Sequence, residues 1–332
     1  MDPTMLDTMD HEAPPYVLDA LRTFYTVEPR CISHARKARV SMQAPVVISV
    51  IKNEADRLAD FLRHYREGGI ERFVLIDNGS TDGGLDFLAE QPDVELLQII
   101  APFKWPQKQG WINLAAAMSG RGPRAWFIYA DADEHIVFDG YGRQSFGDVA
   151  TEMSRRGIYR VRGMLLDMYG NTPLLYSSYT SGQRLIEAYP FFDSDGYVEA
   201  KFKEIISRKG GPRQRVFSRA NEKFRPEMTK YPLFQLNDRD VFANPHHVWP
   251  YEANFKSDCY LGILHFKFLP NVLSRIKTAI ADKSYWDNSL EYRCYDAVLR
   301  EAPDLSLMYP GSRRYDGPKS LVAAGHIISW HE

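Results

Sequence analysis

The feature that most constrains the fold is an alternation of apolar runs and helix-like segments between Pro45 and Ala130. Four short runs are rich in β-branched and aromatic residues, as buried strands are: PVVISVI, RFVLI, VELLQII and AWFIYA. Segments with helical periodicity separate them, and in the first of these Leu58, Phe61 and Tyr65 fall on one face. The alternation predicts an α/β fold with a mostly parallel sheet and helices on both of its faces.

Turn and cap residues predict where these elements begin and end. Ser80 or Thr81 is suited to cap the second helix, because a side-chain hydroxyl accepts from a free helical N–H. Further along the chain the pattern weakens, although strands are predicted over 159–166 and 263–268 and a helix near residues 290–300.

The same patterns predict the organisation of the chain. Residues 1–15 are acidic and proline-bearing, which predicts a disordered tail, and residues 16–44 predict a helical or irregular lead-in. A single α/β domain is expected to follow. Its first half covers residues 45–140, and its second half covers residues 141–332 and includes the C-terminal helices.

The composition excludes several classes of protein. With 332 residues, of which 44% are hydrophobic, the chain is long enough to bury a globular core. A net charge of −2 gives no reason to expect nucleic acid as a partner. The N-terminus lacks the pattern of a signal peptide, and no apolar run reaches the ~18 residues of a membrane span. Three cysteines without a CxxC pair favour a reducing compartment, so a cytoplasmic location is expected.

Polar clusters follow three of the four predicted strands. They are Asn53 and Glu54 after the first, Asp77 and Asn78 after the second, and Asp131 and Asp133 after the fourth. Ligands of parallel α/β sheets bind beyond the carboxyl ends of the strands. We therefore expect these clusters to converge on one edge of the sheet.

The last of these clusters predicts a metal site. On an extended segment, residues two apart point to the same side, so Asp131 and Asp133 would lie side by side. Adjacent carboxylates repel unless a cation neutralises them, and oxygen ligands suit a hard ion such as Mn²⁺ or Mg²⁺. The alternative is a solvated turn, in which the same D-x-D pattern holds no ion.

Together these motifs resemble the family 2-type glycosyltransferases of the GT-A fold. The similarity is detailed over 45–140, in VVISVIKNEADRL, VLIDNGSTDGG and FIYADADEHIVF, with I-x-x-x-K-N-E as the N-terminal motif. It continues more loosely through GGPRQRVF, MTKYPLF, NPHHVW, ILHFKFL and YWDNSLEY. The resemblance implies a GT-A, Rossmann-like sheet with a nucleotide-sugar-binding first half and an acceptor-binding second half.

The resemblance also implies an activity. It is the metal-dependent, inverting transfer of a hexosyl group from a nucleoside-diphosphate sugar, with a UDP-sugar as the expected donor, to an acceptor hydroxyl. The implied acceptor is a carbohydrate or a lipid-linked sugar, in polysaccharide or glycoconjugate biosynthesis. The C-terminal membrane helices of some members of the family are not found in this sequence, so a cytoplasmic enzyme with a soluble acceptor, or one in transient peripheral contact with the inner face of the membrane, is expected.

The resemblance assigns donor-binding roles to residues at the strand ends. Glu54 and Asp77 are implied to contact the nucleoside. Asn53 and Asn78 are the neighbouring donor-binding candidates. Lys108, in the loop WPQKQGW before the third helix, is implied to face a phosphate, and the alternative is a solvated lysine.

The implied metal ligands are Asp131, Asp133 and a late histidine. Asp133 would ligate the metal beside the diphosphate, while Asp131 would touch the ribose or a metal-bound water. His265 in LHFKF is the first candidate for the histidine and His247 in NPHHVW the second, with a buried core histidine as the alternative to both.

The catalytic base is where the sequence departs from the family. The family places its base in an E-D pair downstream of the D-x-D motif, and this dipeptide is absent after Asp133. An inverting transfer needs a carboxylate to deprotonate the acceptor. Asp193 and Asp195 in FFDSDGY are the candidates, with Glu199 and Glu204 after them, and a plain turn is the alternative role for the two aspartates.

Three other functions fit part of the pattern. A nucleotide- or sugar-binding pseudoenzyme of the same fold would also lack the base pair. A D-x-D phosphatase would use Asp131 as its nucleophile, but it needs the acidic pair on the first core strand rather than the fourth. A nucleotidyltransferase needs a glycine-rich loop after the first strand, and IKNEADR contains no glycine.

Overall fold

The computed structural model describes residues 13–36, 44–102, 105–122, 124–202, 205–237, 239–244, 246–283 and 285–331. Most of the predicted N-terminal tail and Glu204 lie outside these ranges. The chain forms two compact units. The first is drawn from Met1–Ala132, Gly140–Arg162 and Lys230–Asp258, and the second from Asp133–Asp139, Gly163–Thr229 and Cys259–Glu332.

The α-helices are α1 Pro15–Thr26, α2 Ala55–Glu67, α3 Gly84–Ala89, α4 Trp105–Met118, α5 Phe146–Arg155, α6 Leu185–Ala188, α7 Val272–Asp282, α8 Trp286–Glu301 and α9 Pro318–Ala323. The strands are β1 Arg30–Ser33, β2 Val46–Ile51, β3 Phe73–Asp77, β4 Val94–Gln98, β5 Trp126–Tyr129, β6 Glu134–Phe138, β7 Arg160–Asp167, β8 Phe191–Asp193, β9 Val198–Phe202, β10 Ile205–Lys209, β11 Thr229–Gln235, β12 Val241–Asn244, β13 His247–Trp249, β14 Cys259–His265 and β15 Ser312–Arg314. Short 3₁₀ helices span Leu174–Tyr176 and Tyr251–Lys256, and a π-helix spans Arg213–Phe217.

The first unit is built on a sheet with the strand order β1-β4-β3-β2-β5-β11. Its four central strands are parallel, since β2 pairs in parallel with both β3 and β5, and β3 pairs in parallel with β4. β1 and β11 flank them in the antiparallel sense. The predicted α/β class, with its parallel strands and intervening helices, is confirmed.

Helices cover both faces of this sheet. Side chains alternate along each strand, so that Ile48 and Ile76 pack with Trp111 of α4 on one face. On the other face Phe73 lies against Phe61 of α2, with ring centroids 6.4 Å apart. Because both faces are covered, the strands are buried throughout, which is why they read as continuous apolar runs.

The strand order reverses at β2, and this reversal positions the candidate site. From β2 the chain moves outward to β3 and β4, and then returns to the other side of β2 with β5. In doubly wound sheets such a reversal opens a crevice between the two central strands at their carboxyl ends. The segments that leave this point are the loop after β2 and the Asp131 stretch after β5.

Two local predictions in this unit are wrong. The helix α3 begins at Gly84 with Gly83 as its N-cap, so neither Ser80 nor Thr81 caps it. Gly83 has a φ of +84°, which glycine adopts without strain. Lys108 lies inside the first turn of α4 and not in a loop before it, because that helix begins at Trp105, four residues before the start of QGWINLAAAMSG that the sequence pattern predicts.

The second unit has a different construction. Strands β7, β14 and β6 are neighbours in that order, and β14 pairs with β6 in the antiparallel sense. The helices α7 and α8 pack against each other and share an aromatic cluster, in which Phe217 and Tyr295 have ring centroids 4.7 Å apart. The strand predicted over 159–166 is confirmed as β7, whereas the one predicted over 263–268 begins earlier and ends at His265.

No helix among the described residues combines the length and the apolar character that crossing a membrane would need.

A buried histidine in the second unit gives a pH-dependent prediction. His326 is 2% exposed, and its Nε2 lies 3.0 Å from the carbonyl oxygen of Asp193. Burial, with a smaller contribution from Arg208, lowers the pKa of His326 to about 4. Between that value and the unfolded pKa of ~6.5, the unfolded chain binds more protons, so stability falls as the pH falls. We therefore expect the free energy of unfolding to fall by about 2 kcal/mol between pH 7 and pH 5, because the unfolded chain takes up a proton at His326.

Urea denaturation at both pH values tests this expectation. In His326→Gln the part of the pH dependence that belongs to His326 should disappear, while His331→Gln, which alters an exposed ring, should keep the wild-type slope. Equal slopes in all three proteins would refute it.

Candidate functional site

Two loops of the first unit meet at the carboxyl end of its parallel strands. Asn53, after β2, accepts at its side-chain oxygen from the N–H of Thr81 at 2.8 Å, and its own N–H donates to the Ser80 hydroxyl at 2.9 Å. Asp82 accepts from the N–H of Ala55 at 2.8 Å, at the start of α2. The K-N-E and D-N-G-S-T-D motifs are therefore hydrogen bonded to each other.

Asp77 and Asn78 lie beneath this pair of loops. Asp77 is 1% exposed, and its carboxylate accepts from the N–H groups of Gly79 and Ser80 at 3.0 and 3.1 Å and from the Gln98 side chain at 3.0 Å. Asn78 is 2% exposed and donates to two carbonyls of the segment after β4, at 2.7 and 3.0 Å. Both side chains shape the loop, and their roles as nucleoside contacts stay predictions.

Glu54 reaches back onto the helix that it precedes. Its Oε2 lies 3.0 Å from Nε of Arg57, which is completely buried. The Glu54 side chain is 14% exposed, so its carboxylate is anchored on one side and reachable from solvent on the other.

Asp131 lies among cations in the first unit. Its Oδ1 accepts from the Tyr129 hydroxyl at 2.6 Å and from Nζ of Lys108 at 2.7 Å, while Nζ of Lys230 stands 3.6 Å from Oδ2. Both ammonium groups also lie over the Tyr129 ring, at 5.6 and 5.8 Å from its centroid. The Asp131 side chain is 28% exposed, so this basic cluster reaches solvent.

The second unit brings together three potential metal ligands. Ligand atoms of Asp133, Glu134 and His265 all lie within 4.8 Å of one another. The strand register explains the convergence, because Glu134 at the start of β6 is paired with His265 at the end of β14. The Asp133 carbonyl accepts from the N–H of Phe266 at 2.8 Å, which fixes the turn that carries its carboxylate.

A second carboxylate stands behind His265. Nε2 of His265 lies 3.6 Å from Oδ2 of Asp133, and its Nδ1 lies 2.6 Å from Oδ1 of Asp167 at the end of β7. Arg213 donates from Nε to the other oxygen of Asp167 at 2.8 Å and from Nη1 to Glu291 at 3.0 Å. Asp133, His265, Asp167, Arg213 and Glu291 therefore form a row in which acidic and basic side chains alternate.

Charge compensation sets the protonation of this row. Burial alone would lower the pKa of His265, but the carboxylates of Asp133 and Asp167 outweigh burial, so the pKa is raised. Burial opposes ionisation of Asp167 too, yet Arg213 and His265 lower its pKa. For Glu291 the cations Lys267 and Arg213 overcome burial and bring the pKa to about 2.

The donor set fits a divalent cation. Mn²⁺ and Mg²⁺ both accept the two carboxylates, and the imidazole is a ligand that favours a transition-metal ion such as Mn²⁺, with waters or substrate oxygens completing the shell. Adjacent ligands of an octahedral ion with bonds of ~2.1 Å stand about 3 Å apart. Nε2 of His265 and Oδ2 of Asp133 are 3.6 Å apart, so a small side-chain adjustment would bring both to the spacing that an ion requires.

A pocket opens beside Asp133 in the same unit. Its lining consists of Asp133, Lys267, Val272, Arg275, Tyr292 and Tyr295. Nζ of Lys267 donates to the Tyr292 hydroxyl at 3.3 Å and lies 5.1 Å from the centroid of that ring. Two cations beside a carboxylate of the candidate metal cluster together suit an anionic ligand.

The two predicted base residues have different surroundings. Asp193 is 1% exposed, and its carboxylate accepts from Arg215 at 2.9 and 3.0 Å and from the Tyr169 hydroxyl at 2.6 Å. Asp195 is exposed and accepts from the Tyr309 hydroxyl at 2.8 Å. The structure therefore leaves the carboxylate of Asp195 open to solvent and that of Asp193 enclosed.

Two of the predicted metal ligands lie outside the cluster that the described residues form. His247 on β13 packs against the rings of Tyr231 and Tyr251 and lies 3.3 Å from the Asn244 side chain. The oxygens of Asp131 are occupied by lysines instead. Asp133 and His265, by contrast, are brought together as predicted.

The sequence patterns did not identify Asp167, Arg213 or Lys230 as site residues. Asp167 carried a usable signal, since it ends an apolar strand just as Asp77 does. Arg213 and Lys230 had no comparable signal, because their partners are more than forty residues away in the sequence.

Comparisons with known proteins add little to this geometry. No protein-family model and no curated protein matches the sequence. Among solved structures, the fold is similar to part of the crystal structure of 4-diphosphocytidyl-2C-methyl-D-erythritol synthase, at 11% identity and a TM-score of 0.28. The match covers 43% of this chain and 67% of that one. A similarity of this size bears on neither the family nor the activity of this chain.

Proposed function

We propose that the protein is a metal-dependent glycosyltransferase that moves a sugar from a nucleoside diphosphate to an acceptor hydroxyl with inversion. The observation that carries the proposal is the convergence of Asp133, Glu134 and His265. Asp133 and Glu134 follow, in sequence, the strand β5, to which the chain returns after the sheet order reverses at β2. A metal-ligand set in this position suits a nucleotide whose diphosphate needs neutralising.

The metal ligands in this proposal are Asp133, Glu134 and His265. The ion, when bound, would stabilise negative charge on the departing diphosphate. Lys267 and Arg275 line the pocket beside Asp133 and supply further positive charge for phosphate oxygens. Mn²⁺ and Mg²⁺ are the candidate ions, and a UDP-sugar is the candidate donor.

The nucleoside is assigned to the loops after β2, β3 and β5. Asn53 and Glu54 are the first contacts, because the Glu54 carboxylate is anchored by Arg57 and reachable from solvent. Asp77 and Asn78 hold the shape of that loop pair. Asp131 is assigned to ribose hydroxyls rather than to the metal, since Lys108 and Lys230 already neutralise it.

The catalytic base is assigned to Asp195 in preference to Asp193. A base must be reachable by the acceptor and free to accept a proton. Burial raises the pKa of Asp193, but Arg215 and Tyr169 occupy both of its oxygens. Asp195 is exposed at the turn after β8 and has one hydroxyl partner, Tyr309, among the contacts described above.

Calorimetric titration with UDP tests the proposal. We expect binding in the presence of Mn²⁺ and its loss after EDTA, because the diphosphate is bound through the ion. Incubation with UDP-sugars and Mn²⁺ should then release UDP slowly. Metal-independent UDP binding, or no binding to any nucleoside diphosphate, would contradict the proposal.

The same assays separate the alternatives. A pseudoenzyme would bind UDP with Mn²⁺ and release none from UDP-sugars. A D-x-D phosphatase would instead hydrolyse p-nitrophenyl phosphate and would lose that activity in Asp131→Asn. Asp195→Asn should abolish transfer and leave UDP affinity unchanged.

A further inference from the structure

Asp167 is a buried carboxylate that contacts the candidate metal ligand His265 from behind. It ends β7, its side chain is completely buried, and its Oδ1 lies 2.6 Å from Nδ1 of the imidazole. The opposite ring nitrogen, Nε2, faces Asp133 at 3.6 Å. One imidazole thus lies between an interior carboxylate and a carboxylate of the cluster.

Arg213 holds the second oxygen of Asp167. Its Nε donates to Oδ2 at 2.8 Å, and its Nη1 donates to Glu291 at 3.0 Å. A guanidinium keeps its charge in proteins, so Asp167 beside it is a carboxylate that can only accept. With one oxygen held by Arg213 and the other facing His265, the orientation of the Asp167 carboxylate is determined on both sides.

We propose that Asp167 is the positioning residue of His265, fixing its tautomer and ring orientation so that Nε2 is presented to the metal. An acceptor at Nδ1 requires the proton of the neutral ring to sit on Nδ1, which leaves the lone pair of Nε2 for an ion. The inference rests on the proposed metal site and adds a residue to it that touches neither ion nor nucleotide.

Mn²⁺ affinity of the full chain, measured by calorimetry at one fixed pH without nucleotide, tests the role. Asp167→Asn should bind Mn²⁺ about 10–100-fold more weakly, the usual cost of losing such a partner. The second half of the test is a double-mutant cycle with His265→Ala. In that background Asp167→Asn should change the affinity less than about twofold, because the group through which it acts is gone.

Two further variants separate positioning from stability. Asp240→Asn removes another buried acid, whose Oδ1 lies 2.9 Å from Nη2 of Arg160, in the first unit. It should destabilise the fold and leave Mn²⁺ affinity at the wild-type value. Asp167→Glu keeps the charge next to Arg213 but moves the oxygens by one methylene. Asp167→Glu should weaken Mn²⁺ binding at least several-fold. If Asp167→Asn does not fold, Asp167→Glu is the variant that tests the positioning role.

The outcomes are distinguishable. Wild-type Mn²⁺ affinity in a folded Asp167 variant overturns the positioning role and leaves the metal site intact. An equal loss of affinity with and without His265 also overturns it, since Asp167 would then act by another route. Absence of Mn²⁺ binding by the wild-type chain overturns the metal site and the positioning role together.

Discussion

Replacement of Asp133 by asparagine is expected to weaken Mn²⁺-dependent binding of UDP more than about 100-fold. Asp133 is the cluster residue that also lines the pocket, and its carboxylate stands 3.6 Å from His265. An amide oxygen carries no charge, so the ion loses both a ligand and part of its neutralisation. Loss of an outer-sphere partner alone costs about 10–100-fold in metal affinity, and loss of a direct ligand should exceed that. Calorimetric titration of UDP at a fixed Mn²⁺ concentration measures the change.

The fold of the Asp133→Asn variant should be preserved. Asparagine has nearly the same shape as aspartate and keeps the main-chain carbonyl that accepts from the N–H of Phe266, so the turn is retained. Asp304→Asn is the matched control, because Asp304 is an exposed aspartate of the same unit, and it should leave UDP affinity unchanged. Wild-type affinity in a folded Asp133→Asn chain would remove Asp133 from the metal site.

Replacement of Arg213 by methionine is expected to lower the free energy of unfolding by about 3–5 kcal/mol. The guanidinium side chain is 8% exposed and bonds Asp167, which is fully buried, and Glu291. Methionine fills a similar volume but leaves the fully buried Asp167 without its guanidinium and removes one of the cations beside Glu291. Breaking a buried pair on one side is costly because the remaining charge stays buried. Urea denaturation of the two proteins at pH 7 gives the difference.

The control for this prediction is another arginine of the same segment. Arg219 is 48% exposed, and its guanidinium lies 3.7 Å from a Glu301 carboxylate that is 75% exposed. Ion pairs of this kind contribute less than about 1 kcal/mol, so Arg219→Met should change the stability little. If Arg213→Met and Arg219→Met destabilise the protein equally, the buried network does not contribute as argued.

Much of the first unit could be predicted from its sequence. The strands β2 to β5 are buried on both faces, so each reads as a continuous apolar run, and the helix α2 between the first two carries a clear apolar stripe. The sequence contains no equally direct signal for β1, which is only partly buried. Likewise β11 joins the same sheet from more than a hundred residues away, and local patterning does not carry that pairing.

The candidate site could be predicted only where one motif contains the ligands. Asp133 follows an apolar strand and belongs to a recognisable motif, and a late histidine was expected on the same grounds. The choice of His265 over His247 depends on the antiparallel register that sets His265 opposite Glu134. The row of Asp167 and Arg213 depends on the same long-range pairing, together with the π-helix that carries Arg213.

Asp131 illustrates the opposite outcome. A metal at this residue requires an extended segment with two neighbouring carboxylates, whereas Ala132 and Asp133 form a turn. Lys108 and Lys230 provide the positive charge that was expected from a metal ion beside Asp131. The sequence indicates that an acid at a strand end needs a compensating positive charge. It does not indicate whether a metal ion or a lysine side chain supplies that charge.

The most direct measurement is anomalous scattering from crystals of the protein grown with Mn²⁺ and UDP. We expect a manganese peak within about 2–2.3 Å of an Asp133 carboxylate oxygen and of Nε2 of His265, with diphosphate oxygens completing the shell. A peak elsewhere, or bound UDP with no manganese at these side chains, would contradict it.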